Sequence, residues 1–133
     1  MSAERRLLDT NVIVRHLVQD DPLQCKIASD LFSQCDQGTV TLVILPSVLA
    51  EAVFVLESFY KHTRADIAAT LSSLISSPGI EVDELANQLI AFDWYQRTSL
   101  HFIDCVLAAT SLAEELEVST FDRDLKKVCY SKP

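Results

Sequence analysis

The stretch Leu7-Leu8-Asp9-Thr10-Asn11-Val12-Ile13-Val14 constrains the fold more than any other. An apolar run ends in a carboxylate, and a helix-like pattern begins at once. Strands buried on both faces read as continuous apolar runs, and open α/β folds keep their active sites at the carboxyl edge of the sheet. This stretch therefore predicts a first strand over Arg6 to Asp9 that carries one acidic side chain to that edge. A short helix from Asn11 to Val18 follows, ending at the turn Asp20-Asp21-Pro22.

The rest of the chain alternates in the same way. Leu23, Ile27 and Leu31 recur at four-residue steps and predict a helix from Pro22 to about Gln34. Val40 to Ile44 is rich in β-branched residues and reads as the second strand. Pro46 opens a helix to about Tyr60, and Thr63 caps another through Ile75. Ile80 to Val82 is a short third strand, and Asp83 caps a helix from Glu84 to about Arg97. A further helix covers about Phe102 to Glu117, Val118 to Phe121 reads as a fourth strand, and Asp122 starts a last helical turn or two. Tyr130 to Pro133 reads as a tail. Strands separated by helices call for an α/β fold: a three-layer α/β/α sandwich around a central parallel sheet. The 133 residues suffice for one domain, 1–133, with a proper core.

Composition narrows the function. No apolar run approaches the ~20 residues that span a bilayer. Met1 to Arg6 lacks the basic and apolar regions of a signal peptide, so a cytosolic location is expected. The four cysteines include no C-x-x-C pair and read as reduced, mostly buried thiols, and the three histidines have no zinc-like spacing. A net charge of −8 argues against passive coating of nucleic acid. It does not exclude a nuclease, because acids gathered around metal ions lower the formal total. Basic residues still cluster locally, and Arg15, Lys61, Arg64, Arg123, Lys126 and Lys127 are candidates for backbone-phosphate contacts.

Four carboxylates stand out. Asp9, Asp104 and Asp122 each lie at or near a predicted helix start, where N-capping is the competing role. Glu51 sits on a helix that is apolar almost all round, sharing its face with Val48 and Val55. A carboxylate there must reach water at the rim or find a partner, because burying it unpaired costs several kcal/mol. Strands one and four would bring Asp9 and Asp122 to one sheet edge, and neighbouring helices would add Glu51 and Asp104. Carboxylates crowded together repel. A divalent cation offsets that, and hard oxygen ligands select Mg²⁺ or Mn²⁺ over zinc. Such a site suits phosphodiester hydrolysis. No Ser-His or Cys-His arrangement competes, and two glycines cannot supply a phosphate-cradling loop.

These motifs resemble a known family. Leu8-Asp9-Thr10-Asn11, Pro46 to Glu51, Phe102 to Ala109 and Thr120 to Leu125 look like the four motifs of PIN-domain ribonucleases, and most like the VapC-type toxins of toxin–antitoxin pairs. The resemblance implies an Mg²⁺- or Mn²⁺-dependent endoribonuclease, a homodimer, an RNA substrate and a partner antitoxin. By position, Asp9, Glu51, Asp104 and Asp122 match the family's metal-site acids, and Asn11 and Thr120 its polar supporting residues. His101 stands where many relatives carry a further acid. Two rivals remain. One is a haloacid-dehalogenase-type phosphatase with Asp9 as nucleophile, whose usual second Asp is here Asn11. The other is a non-catalytic PIN-like or receiver-like domain acting only through protein contacts.

Overall fold

A computed structural model describes residues 3–130. The first strand, β1 (Glu4–Leu7), leads into α1 (Thr10–Leu17) and α2 (Pro22–Asp36). Then come β2 (Val40–Ile44), α3 (Pro46–Ser58), α4 (Arg64–Ile75) and β3 (Ile80–Val82), followed by α5 (Leu85–Arg97), α6 (Phe102–Glu114) and α7 (Arg123–Tyr130). The strands form a parallel sheet in the order β1-β2-β3, with Arg6 beside Leu42 and Leu42 beside Ile80. This is the mostly helical α/β/α arrangement expected from the alternation of elements.

The sheet is short and its middle strand is its driest part. Val40, Leu42 and Ile44 are buried and Thr41 and Val43 half-buried, as helices on both faces require. Leu49 and Leu56 of α3, Ile67, Leu71 and Ile75 of α4, and Phe92 and Tyr95 of α5 complete one continuous core. Phe92 meets Phe102 at the start of α6, with ring centroids 4.5 Å apart. Among the described residues no helix is long and apolar enough to cross a membrane. All four thiols are free. Cys35 and Cys105 are buried and Cys25 and Cys129 half-buried, and burial raises the pKa of Cys35, Cys105 and Cys129.

Several expectations need correction. The fourth strand does not form: among the described residues, 118–121 makes no ladder. A local bond bends the chain instead, Thr120 Oγ1 accepting the N–H of Asp122 at 3.1 Å. Such side chain-to-backbone bonds compete with strand pairing. Phe121 is left fully exposed, and β1 keeps an outer edge of exposed Glu4, Arg5 and Arg6. Helix α6 stops at Glu114 rather than Glu117 because Glu115 turns left-handed, at φ 55°, and its N–H closes on Ser111 O. Helix α5 starts from Glu84, also left-handed, with no side-chain cap from Asp83. Tyr130 closes α7; the rest of the expected tail, 131–133, lies outside the described residues.

Helix α2 forms where its period predicts, yet two of the three residues that reveal it face outward while Leu31 packs at the core's edge. Leu23 is 69% and Ile27 62% exposed, while Ala28, Phe32 and Cys35 face the core. His16 of α1 stacks on Phe32 with centroids 4.2 Å apart and meets Ser29 Oγ through Nδ1 at 3.0 Å, and its burial lowers its pKa.

One core position is mismatched. Gln88 of α5 is 1% exposed, and among the described residues neither Nε2 nor Oε1 has a hydrogen-bond partner. A buried amide without partners costs ~1–3 kcal/mol by mutational measures. Gln88→Met, similar in shape and apolar, is expected to raise unfolding stability by ~1–2 kcal/mol. A higher urea midpoint at unchanged slope would show it.

Candidate active site

Asp9 stands one residue past Leu8, whose N–H still reaches Val43 O at 3.0 Å and so extends the ladder toward the acid. Asp9 is extended, φ −83° and ψ 150°, and N-caps α1: its Oδ1 accepts the N–H of Thr10 at 2.9 Å. Capping and presentation are compatible, since only one carboxylate oxygen takes that bond. The other is available on an exposed side chain at the carboxyl end of β1.

Glu51 arrives from α3, whose start is set by Leu45 as N-cap and Pro46 in the first turn. Its side chain reaches solvent, which removes the burial cost weighed from the sequence. Thr10 Oγ1 donates to Glu51 Oε2 at 3.2 Å. Thr10 is itself buried, so one threonine takes Asp9's bond through its backbone and holds Glu51 through its hydroxyl. Reading by residue type missed Thr10, because a threonine at a helix start looks like a spare cap. The signal was its place beside Asp9 on a helix face that is otherwise apolar.

Asp104 lies in the first turn of α6, half-buried, beside a hollow of about 520 Å³ between α3 and α6. Phe54, Glu57, Ser58, His101 and Ile103 share that hollow. His101 holds the N-cap position by backbone alone, with an exposed side chain that makes no cap bond. Asp122 precedes α7, and its Oδ1 accepts the N–H groups of Asp124 and Leu125 at 2.9 and 3.1 Å. Thr120 accepts the backbone N–H of Asp122 and does not touch its carboxylate. Asn11 is exposed and lines a groove between α1 and α2 with Arg15, Gln24 and Ile27.

The structure therefore joins Asp9 to Glu51 through Thr10 and puts Asp104 and Asp122 at the starts of their helices. Among the described residues, no three Asp, Glu, His or Cys side chains are arranged to hold a metal ion. The donors at the joined pair are hard oxygens only, two carboxylates and a hydroxyl, which suits Mg²⁺ or Mn²⁺.

The basic candidates divide into two groups. Lys61, Arg123, Lys126 and Lys127 are exposed. Arg15 is engaged: its Nη1 donates to Asp20 at 2.8 Å and its Nε to Gln24 at 2.8 Å, while Tyr60 donates to Asp20 at 2.9 Å. The Asp20 bond raises the pKa of Arg15, and the Tyr60 bond, with Arg15 adding to it, lowers that of Asp20. Arg64 donates inward to the carbonyls of Tyr95 and Leu100.

Two comparisons with known proteins bear on this arrangement. The family model of the PIN domain matches residues 6–130. A VapC ribonuclease of Aquifex aeolicus (strain VF5) is 25% identical over 126 residues, covering 94% of this chain and 93% of that protein. No solved structure gives a match.

Proposed function

The chain belongs to the PIN-domain family, and on that premise we propose that it is an Mg²⁺- or Mn²⁺-dependent endoribonuclease, the toxin of a toxin–antitoxin pair. The observation that carries this reading is the link between Asp9 and Glu51. Two acids 42 positions apart in sequence each bond the same buried threonine just past the carboxyl end of β1. A degenerate, purely protein-binding domain has no use for that link, and a phosphatase would use Asp9 as an attacking group with a second aspartate at position 11, where this chain has Asn11.

Asp9, Glu51 and Asp104 would hold the cation, with Asp122 completing the set or orienting a water. When bound, Mg²⁺ or Mn²⁺ neutralises charge on the phosphate and makes water a better nucleophile. The chain's own residues do the positioning. Thr10 fixes Glu51 against the start of α1 and Thr120 fixes Asp122 through its backbone; Asn11, in the first turn of α1, would support the carboxylates from there. Lys61, Arg123, Lys126 and Lys127 would contact RNA phosphates, as mobile point charges at an exposed surface do. An antitoxin would silence the site. A second copy of the chain would cover Phe54, Ile103 and Leu107, three large apolar side chains left exposed on α3 and α6.

The experiment is cleavage of a mixed RNA pool by the purified chain, freed of any antitoxin under denaturing conditions and refolded. Cutting with Mg²⁺ or Mn²⁺, and none with EDTA, is the expected result. Equal cutting in EDTA would reject the metal reading. No cutting together with no Mn²⁺ binding would favour a domain that acts through protein contacts.

A further inference from the structure

Arg64 is the least RNA-like of the basic side chains. It is the first residue of α4, and its guanidinium carbon lies over the Tyr95 ring, 3.8 Å from the centroid. Its Nε donates to Tyr95 O at 2.8 Å, another nitrogen donates to Leu100 O, and Nη1 lies 3.6 Å from Glu57 Oε1. The Tyr95 hydroxyl closes the circuit by donating to Glu57 Oε2. The carbonyls Arg64 holds are telling. Tyr95 O belongs to the last turn of α5, where carbonyls lack helical partners. Leu100 O belongs to the connection between α5 and α6. Thr98 tightens the same connection, donating to Trp94 O at 2.8 Å and accepting the N–H of Leu100 at 3.3 Å.

That connection launches α6, and Asp104 follows four residues after Leu100. On the other side of the clamp, Glu57 shares α3 with Glu51 and shares the α3–α6 hollow with Asp104. We propose that Arg64, with Glu57 and Tyr95, is a positioning residue of the proposed carboxylate site: it ties the 98–101 connection to α3 and so sets where α6, with Asp104 in its first turn, stands against the helix that carries Glu51. This rests on the carboxylate reading above and adds to it the element that sets the distance between two of its helices. Arginine is required because the job needs a planar fork. A lysine keeps the charge and stem but cannot serve two carbonyls and a carboxylate while stacking on a ring. Small displacements matter at such a site, because groups that orient a metal ligand from behind carry about 10- to 100-fold in metal affinity or activity.

The test compares Arg64→Lys and Tyr95→Phe with Ile75→Val. Ile75 is buried on the same helix, far along from the clamp, and its trimming lowers stability without touching it. The readouts are Mn²⁺ affinity by calorimetry, amide exchange over residues 99–105, and melting temperature. Arg64→Lys is expected to weaken Mn²⁺ binding by about tenfold and to speed exchange over 99–105. Tyr95→Phe, which keeps the ring under the guanidinium and loses only the bond to Glu57, should do the same to a smaller extent and remains informative if Arg64→Lys folds poorly. Ile75→Val should lower the melting temperature and leave Mn²⁺ affinity unchanged. Equal weakening by Ile75→Val at matched loss of melting temperature would reduce Arg64 to a general stabiliser and overturn the proposal. So would unchanged Mn²⁺ affinity in both clamp variants. Wild-type protein that binds no Mn²⁺ would overturn the carboxylate reading and the positioning role together, a result distinct from wild-type binding with unaffected variants.

Discussion

Asp9→Asn is expected to slow metal-dependent RNA cleavage by about a thousandfold while leaving the protein folded. The two roles of Asp9 separate cleanly in this substitution. As a cap, Asp9 uses one side-chain oxygen to accept the N–H of Thr10. Asparagine offers an equivalent oxygen and caps about as well as aspartate, so the cost to stability should be only a few tenths of a kcal/mol. As a ligand, Asp9 supplies negative charge at the carboxyl end of β1, and asparagine supplies none. A divalent ion stabilises charge in the transition state by several kcal/mol, so losing its principal anchor should slow cleavage by about a thousandfold, or ~4 kcal/mol. Single-turnover cleavage at saturating Mn²⁺, beside a thermal melt of each protein, measures both effects. A variant that melts like wild type and still cuts at a comparable rate would leave Asp9 as a cap and nothing more.

What could be read from the sequence, and what could not, follows the range of the interactions. Helix α2 announces itself through Leu23, Ile27 and Leu31, because four-residue spacing is a local property. Which face it buries is not local: Phe32 stacks on His16, and the core takes Ala28 and Cys35, so Leu23 and Ile27 of the most regular apolar row are left outside. The caps at Asp9 and Thr63 were legible for the same reason, since the groups they bind lie one and three residues away. Strand four was misread because β-branched residues signal an extended chain and not a partner for it. Arg64 shows the limit most clearly. In sequence it is one of a basic cluster with Lys61, whereas the carbonyls it holds lie 31 and 36 residues further on. The acids of the proposed site were legible one by one, each as an aspartate or glutamate at the edge of an apolar run. The threonine that links two of them was not, because its meaning depends on α1 lying against α3.

Gly79→Ala should be the most damaging single-methyl change in the sheet, at about 3 kcal/mol, from two sources. Gly79 sits at φ +81°, a region where a Cβ costs ~1–2 kcal/mol. The added carbon would also stand 2.7 Å from Cys35 Sγ and 2.9 Å from Cys35 O, at the point where the end of α2 crosses the start of β3. The sulfur could turn, but the carbonyl is backbone and can yield only by moving α2. Overpacking of this kind costs ~1–3 kcal/mol. The strain would pass into the sheet, because Gly79 O accepts the N–H of Leu42 at 2.9 Å in the central strand. Gly38 separates the two sources: its φ is +83°, yet a Cβ there would meet nothing within 4 Å. Gly38→Ala should therefore show the backbone cost alone, ~1–2 kcal/mol. In a Cys35→Ala background, Gly79→Ala should cost about 1 kcal/mol less, because the sulfur contact is gone while the carbonyl contact remains. Urea unfolding of the four variants tests the whole argument. Equal losses at Gly38 and Gly79 would mean that α2 and β3 do not approach this closely, and the close approach would have to be withdrawn as the reason position 79 is glycine.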